Sequence, residues 1–83
     1  MLMKFRVTPH AAARIAERRV PQAWIDEVLD RPQAVVEAAW GRQERQGIFE
    51  RDGKPMLLRM ICEGDLVITA ILTSKVEKYG GPR

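Results

Sequence analysis

Cysteine is nearly absent: Cys62 is the only one in the 83 residues. A lone thiol excludes an intramolecular disulfide, and a reducing, cytoplasmic compartment is the expected setting. Histidine is as scarce, with His10 alone. One cysteine and one histidine cannot supply a zinc-finger ligand set drawn from those two residue types. No apolar run approaches the roughly 18 residues that a membrane-crossing helix needs, so no membrane role is expected. Met1–Thr8 carries Lys4 and Arg6 within its short apolar stretch and lacks a small-residue cleavage pattern, unlike a signal peptide. There is no Gly-x4-Gly-Lys loop, Gly-x-Gly-x-x-Gly turn or Gly-x-Ser-x-Gly elbow. Nucleotide-driven and hydrolase-triad chemistry therefore have no support, and no metal or cofactor is expected.

What is present is ordinary for one small globular domain spanning 1–83, with 46% hydrophobic residues. The net charge of +3 is unevenly placed. Residues 1–20 hold Lys4, Arg6, Arg14, Arg18 and Arg19 against Glu17, and residues 21–40 hold Asp26, Glu27, Asp30 and Glu37 against Arg31. Such segregation can give a basic face suited to phosphate, or simply a mixed solvated surface.

The expected fold is α+β, with two N-terminal helices packed on an antiparallel meander of three to four strands. Met1–Val7 reads as an edge strand. Thr8-Pro9 supplies an N-cap and a first-turn proline, and the alanine-rich stretch to Arg19 follows as a helix. Ala11, Ala12, Ile15 and Ala16 share one face, and His10, Arg14, Glu17 and Arg18 the other. Val20-Pro21 breaks this helix and opens a second, Gln22–Arg31, with Trp24, Ile25, Val28 and Leu29 as its apolar stripe. Arg31-Pro32 ends it. Strands are expected at Ala34–Trp40, Gln43–Glu50, Pro55–Glu63 and Leu66–Thr73. Asp52-Gly53 and Gly64-Asp65 mark two-residue hairpin turns of the I′ and II′ types.

Those turns set a register in which Phe49 faces Met56, Arg59 faces Gln46 and Ala70, and Leu58 faces Ile71. One face then gathers Phe49, Met56, Leu58, Met60, Cys62, Val67 and Ile71 for burial under the helices. The other gathers Glu44, Gln46, Arg59 and Ala70. A mid-strand arginine needs a reason: Arg59 either contacts a ligand, as Arg45 could, or pairs diagonally with Glu44. The plain pairing is the simpler account. Trp24 and Trp40 read as core or sheet anchors, and Cys62 as an inert buried thiol. The tail from residue 79 is expected to be flexible.

His10, Arg14 and Arg18 recur every four residues, which stacks them along one stripe of the first helix. Imidazole suits proton transfer near neutral pH, and guanidinium holds phosphate through two hydrogen bonds. His10 also lies at a helix N-terminus, whose free amides favour anions. These are materials for cleaving RNA through its own 2′-hydroxyl, with one group taking a proton, cations holding the phosphate and another group protonating the leaving oxygen. A solvated helix face explains the same residues. Lys75 and Tyr79, four apart, could add a cation and a phenol, or form an ordinary charged terminus.

Thr8-Pro9-His10-x3-Arg14-x3-Arg18-x-Val20, a second helix ending Val28-Leu29-x-x-Pro32, a late Val67-Ile68-Thr69 and Lys75-Val76-Glu77-Lys78-Tyr79 resemble a family of small bacterial domains of unassigned function. That family is similar to the BrnT and RelE toxins and to colicin-type tRNases. The resemblance runs from about Val7 to Tyr79. It implies a helical pair on an antiparallel sheet, metal-independent ribonuclease activity and a cognate antitoxin covering the site. It also implies functional roles for His10, Arg14, Arg18, Lys75 and Tyr79. The alternative is a non-catalytic protein- or nucleic-acid-binding module of the same fold, and a homodimer is compatible with either. Three positions depart from the pattern: Arg19 replaces a usual Gly, Pro21 a usual Ser or Thr, and Ile71 a common aromatic.

Overall fold

The computed structural model describes residues 5–76, and Tyr79 lies outside them. The strands and helices are β1 (Arg6–Val7), α1 (Pro9–Arg18), α2 (Gln22–Asp30), β2 (Ala34–Glu37), β3 (Gln43–Arg51), β4 (Lys54–Glu63) and β5 (Leu66–Thr73). The fold is α+β as expected, but the sheet is five-stranded and mixed, in the order β1-β5-β4-β3-β2. β1 adds to the meander as a parallel edge, pairing Arg6 with Leu66 and Val7 with Val67. No helix among the described residues is long and apolar enough to cross a membrane.

Thr8 caps α1 as its sequence suggests, its hydroxyl accepting from the Ala11 N–H and donating to the Ile68 carbonyl, which fixes the helix start to β5. The helix stops at Arg18. Arg19 lies in the left-handed region (φ 52°, ψ 47°), where its N–H donates to the Ala16 carbonyl and the Val20 N–H to the Ile15 carbonyl. This is a Schellman ending, and Val20 and Ile15 supply its accompanying apolar pair against the core. The position where the resembling family has glycine is therefore one that demands positive φ, and arginine occupies it under strain. Arg19→Gly is expected to stabilise the domain by about 0.5–1 kcal/mol, since relief of left-handed strain outweighs the added freedom of the unfolded chain. A lower midpoint in urea unfolding would contradict this. At α2, Pro21 offers no side-chain cap; its carbonyl accepts from the Trp24 and Ile25 N–H groups.

The two hairpin turns form where expected. Asp52 and Gly53 both have positive φ (53° and 76°), as type I′ requires, and Gly64 has φ 59° at the first central position. The β3–β4 register matches the expectation, with Phe49 opposite Met56 and Arg59 opposite Gln46. The β4–β5 register does not. An irregularity between Ile61 and Cys62 moves the pairing by one residue, so Arg59 faces Ile71 rather than Ala70, and Leu58 faces Leu72 rather than Ile71. One extra residue in β5 exchanges the faces beyond it. Ala70 and Leu72 thus join Leu58, Met60, Cys62 and Val67 in the core with Ala11, Ile25, Val28 and Leu29, while Ile71 lies on the side of Arg59.

The strand expected at Ala34–Trp40 ends at Glu37, and Ala39–Gly41 forms a single tight turn instead. Trp40 is not an anchor. It sits at that turn with φ 59° and is 85% exposed, and its left-handed backbone costs on the order of 1–2 kcal/mol. Trp24 does anchor: its ring stacks on Phe49 at 4.8 Å, against the core. Cys62 is buried, its Sγ contacts the Met60 carbonyl, and burial raises its pKa against the smaller opposing charge of Arg45. That favours the neutral thiol.

Candidate functional site

β1 pairs only with the first residues of β5, and α1, fixed at Thr8 beside Val67 and Ile68, packs Ala11 and Ile15 into the core with β5 residues Val67, Ala70 and Leu72. The two elements leave a groove of about 360 Å³ at their far ends, lined by Arg18, Met56, Ile71, Leu72, Thr73, Ser74 and Lys75. Arg18 and Lys75, two basic residues far apart in sequence, therefore border one cleft with Thr73 and Ser74. The Lys75 N–H donates to the Thr73 hydroxyl and turns the chain past the end of β5.

The C-terminal end of a helix carries partial negative charge, which would disfavour an anion in this groove. Arg51 offsets it. Its Nη1 donates to the Arg18 carbonyl at 3.0 Å and its Nη2 to the Arg19 carbonyl at 2.6 Å, while its guanidinium lies 5.1 Å from the Trp24 ring centroid. One side chain thus ties α1, α2 and the end of β3 together and brings a positive charge beside the groove. Sequence reasoning missed Arg51, because nothing local links it to carbonyls more than thirty residues away.

The remaining candidates are dispersed. His10 is exposed near the start of α1, roughly 12 Å along the axis from Arg18 at 1.5 Å per residue, and does not line the groove. Arg14, between them, is exposed and ion-paired with Glu17 at 2.9 Å. Arg45 lies on the helix side of the sheet, 5.3 Å from the Phe5 ring. Arg59 lies on the opposite side, one strand from the groove's Ile71, and donates through Nε and Nη2 to the two Glu44 carboxylate oxygens at 2.8 Å each. The plain cross-strand pairing expected of these two is present.

Burial raises the pKa of Glu44, but the Arg59 hydrogen bonds, the Gln46 amide and the Arg59 charge outweigh it and hold the carboxyl below its ordinary value. The pair is therefore ionised near neutral pH.

Another groove, beside β1, is lined by Phe5, Val7, Gln22, Ile25, Leu29 and the acids Asp26 and Asp30. Its charge suits phosphate poorly. Among the described residues, no three His, Cys, Asp or Glu side chains gather as metal ligands. Compared with known protein-family models, curated proteins and solved structures, the chain matches none.

Proposed function

We propose that the protein binds the sugar–phosphate backbone of RNA in the Arg18–Lys75 groove and acts on the strand so held as a metal-independent endoribonuclease toxin, held in check by a cognate antitoxin. The observation that carries this reading is the convergence of Arg18 and Lys75 on one cleft with Thr73 and Ser74. Two cationic residues beside Thr73 and Ser74 suit the negative charge of a phosphodiester and would anchor the strand. In the proposed reaction the 2′-oxygen attacks the adjacent phosphorus and the bond to the 5′-oxygen breaks. A base takes the 2′-hydroxyl proton and an acid delivers one to the departing 5′-oxygen, leaving a cyclic phosphate and a 5′-hydroxyl. His10 is the candidate for one of the two proton transfers, which requires the RNA to run along α1 from the groove towards the helix start and to react there, one or more nucleotides from the phosphate held by Arg18 and Lys75. Arg14 would then meet phosphate between the two, in exchange for Glu17.

A second reading, a non-catalytic nucleic-acid-binding module, is favoured by the separation of His10 from the groove. One experiment divides them. Fluorescence anisotropy with single-stranded RNA should show affinity falling on the order of tenfold for each of Arg18→Ala and Lys75→Ala, with the double variant lowering the salt slope by about two. Gel analysis of the same mixtures in EDTA should show cyclic-phosphate fragments with the parent and none with His10→Ala. Unchanged binding by the double variant would defeat both readings. Tight binding without fragments would leave the second.

A further inference from the structure

We propose that β2 is the two-fold interface of a homodimer in which each copy sets Trp40 against the junction of α2 and β2 in the other. Among the described residues β2 pairs with β3 alone, and its outer edge has no partner there. The Ala38 N–H donates inward to the Arg42 carbonyl, and by the alternation of an antiparallel ladder Val35 and Glu37 turn their backbone groups outward. Exposed edges are usually blunted by lysine, proline or a bulge. This one carries Val35 and Val36, each 48% exposed, on opposite faces, with only Glu37 as a charge.

A second copy fits this edge because the edge is complementary to itself. With Val36 facing its own counterpart, antiparallel pairing puts Val35 opposite Glu37 and Ala34 opposite Ala38, so no like charges meet. The same register carries Trp40 to Pro32, below the outer groove of α2 lined by Ala23, Asp26, Glu27, Asp30 and Arg31. The Arg42 guanidinium, 5.8 Å from the Trp40 ring, brings positive charge to those acids. Two indoles at about 200 Å² each, with the valines and paired backbone, give an interface on the order of 1,000 Å², at the weak end of specific association. The inference is independent of the groove and its chemistry.

Sedimentation of the parent should show a reversible dimer with a dissociation constant on the order of 10 μM, the range expected of a small interface. Val36→Lys sets two ammonium groups face to face and should weaken it on the order of 100-fold. Val36→Cys should cross-link to itself under mild oxidation, because Cys62 is buried. A parent monomeric at about 1 mM, a folded Val36→Lys variant that dimerises as the parent does, or failure of Val36→Cys to cross-link would each overturn the proposal. So would a monomer whose Trp40 fluorescence is quenched by RNA.

Discussion

Arg59→Met is expected to destabilise the domain by about 3 kcal/mol, at the lower end of the cost of stranding one member of a buried ion pair. Glu44 and Arg59 are only 12% and 19% exposed at their side chains, and Gln46 beside them is buried. Removing the guanidinium leaves a carboxylate with little water and one amide donor. Adding Glu44→Gln to the same chain removes the stranded charge and should recover at least half of the loss. Urea unfolding of the two variants checks this, and a single-variant loss below about 1 kcal/mol would mean that solvent reaches the carboxylate freely.

The pH dependence gives a second readout of the same pair. In the parent the folded pKa of Glu44 lies below its ordinary value of 4.5. Its contribution is therefore present above that value and lost as pH falls through the lower folded pKa. In Arg59→Met burial is opposed by the Gln46 hydrogen bond without the Arg59 guanidinium and raises the folded pKa. The sign then reverses, and this group favours folding more as pH falls.

Gly47→Ala is expected to cost about 2 kcal/mol, within the usual range for overpacking a close contact. Gly47 is buried in β3 where α2 crosses it. A Cβ there would lie 2.8 Å from Val28 Cγ2 and 3.0 Å from the Phe49 ring. Neither neighbour yields easily, since Val28 is in the core and Phe49 is stacked on Trp24. Val28→Ala alone opens a cavity and costs about 2 kcal/mol, yet in the Gly47→Ala chain it removes the clash. The double variant should be more stable than the sum of the two losses by about 1 kcal/mol or more. Strict additivity in denaturation would show that α2 shifts away from the sheet instead.

The parts of the fold legible in the sequence are those marked by residues with special backbone chemistry. Asp52-Gly53 and Gly64-Asp65 announce positive φ, so the hairpins and the β3–β4 register follow from them. Thr8-Pro9 marks the start of α1 for the same kind of reason. The β5 bulge has no such mark: no glycine or proline interrupts Val67-Ile68-Thr69, and the alternation continues plausibly in the wrong frame. Arg19 and Trp40 adopt positive φ although their side chains disfavour it, so residue type does not announce that backbone at either position. Val20-Pro21 still marks the break after α1, whereas nothing in the sequence marks the turn at Trp40.

The candidate site divides in the same way. The i, i+4 spacing placed Arg18 on a basic stripe, and the four-residue spacing of Lys75 and Tyr79, then the family resemblance, singled out Lys75. Their meeting depends on α1 packing against β5, which local patterning does not encode. The contribution of Arg51 is long-range throughout. Glu44–Arg59 was legible because hairpin geometry alone put those residues diagonally opposite.

The parallel pairing of β1 with β5 has a consequence for how the chain reaches this structure. Arg6 and Val7 meet Leu66 and Val67, and the Arg6 N–H donates to the Asp65 carbonyl. Of the described strands, the first to be synthesised thus waits for the last before its backbone is satisfied. Until then Val7 and the first residues of α1 have no sheet to rest on, and closing so long a loop is entropically slow. The nascent domain is therefore most exposed to proteases and to mispairing at its beginning, and gains its protection in a single late step.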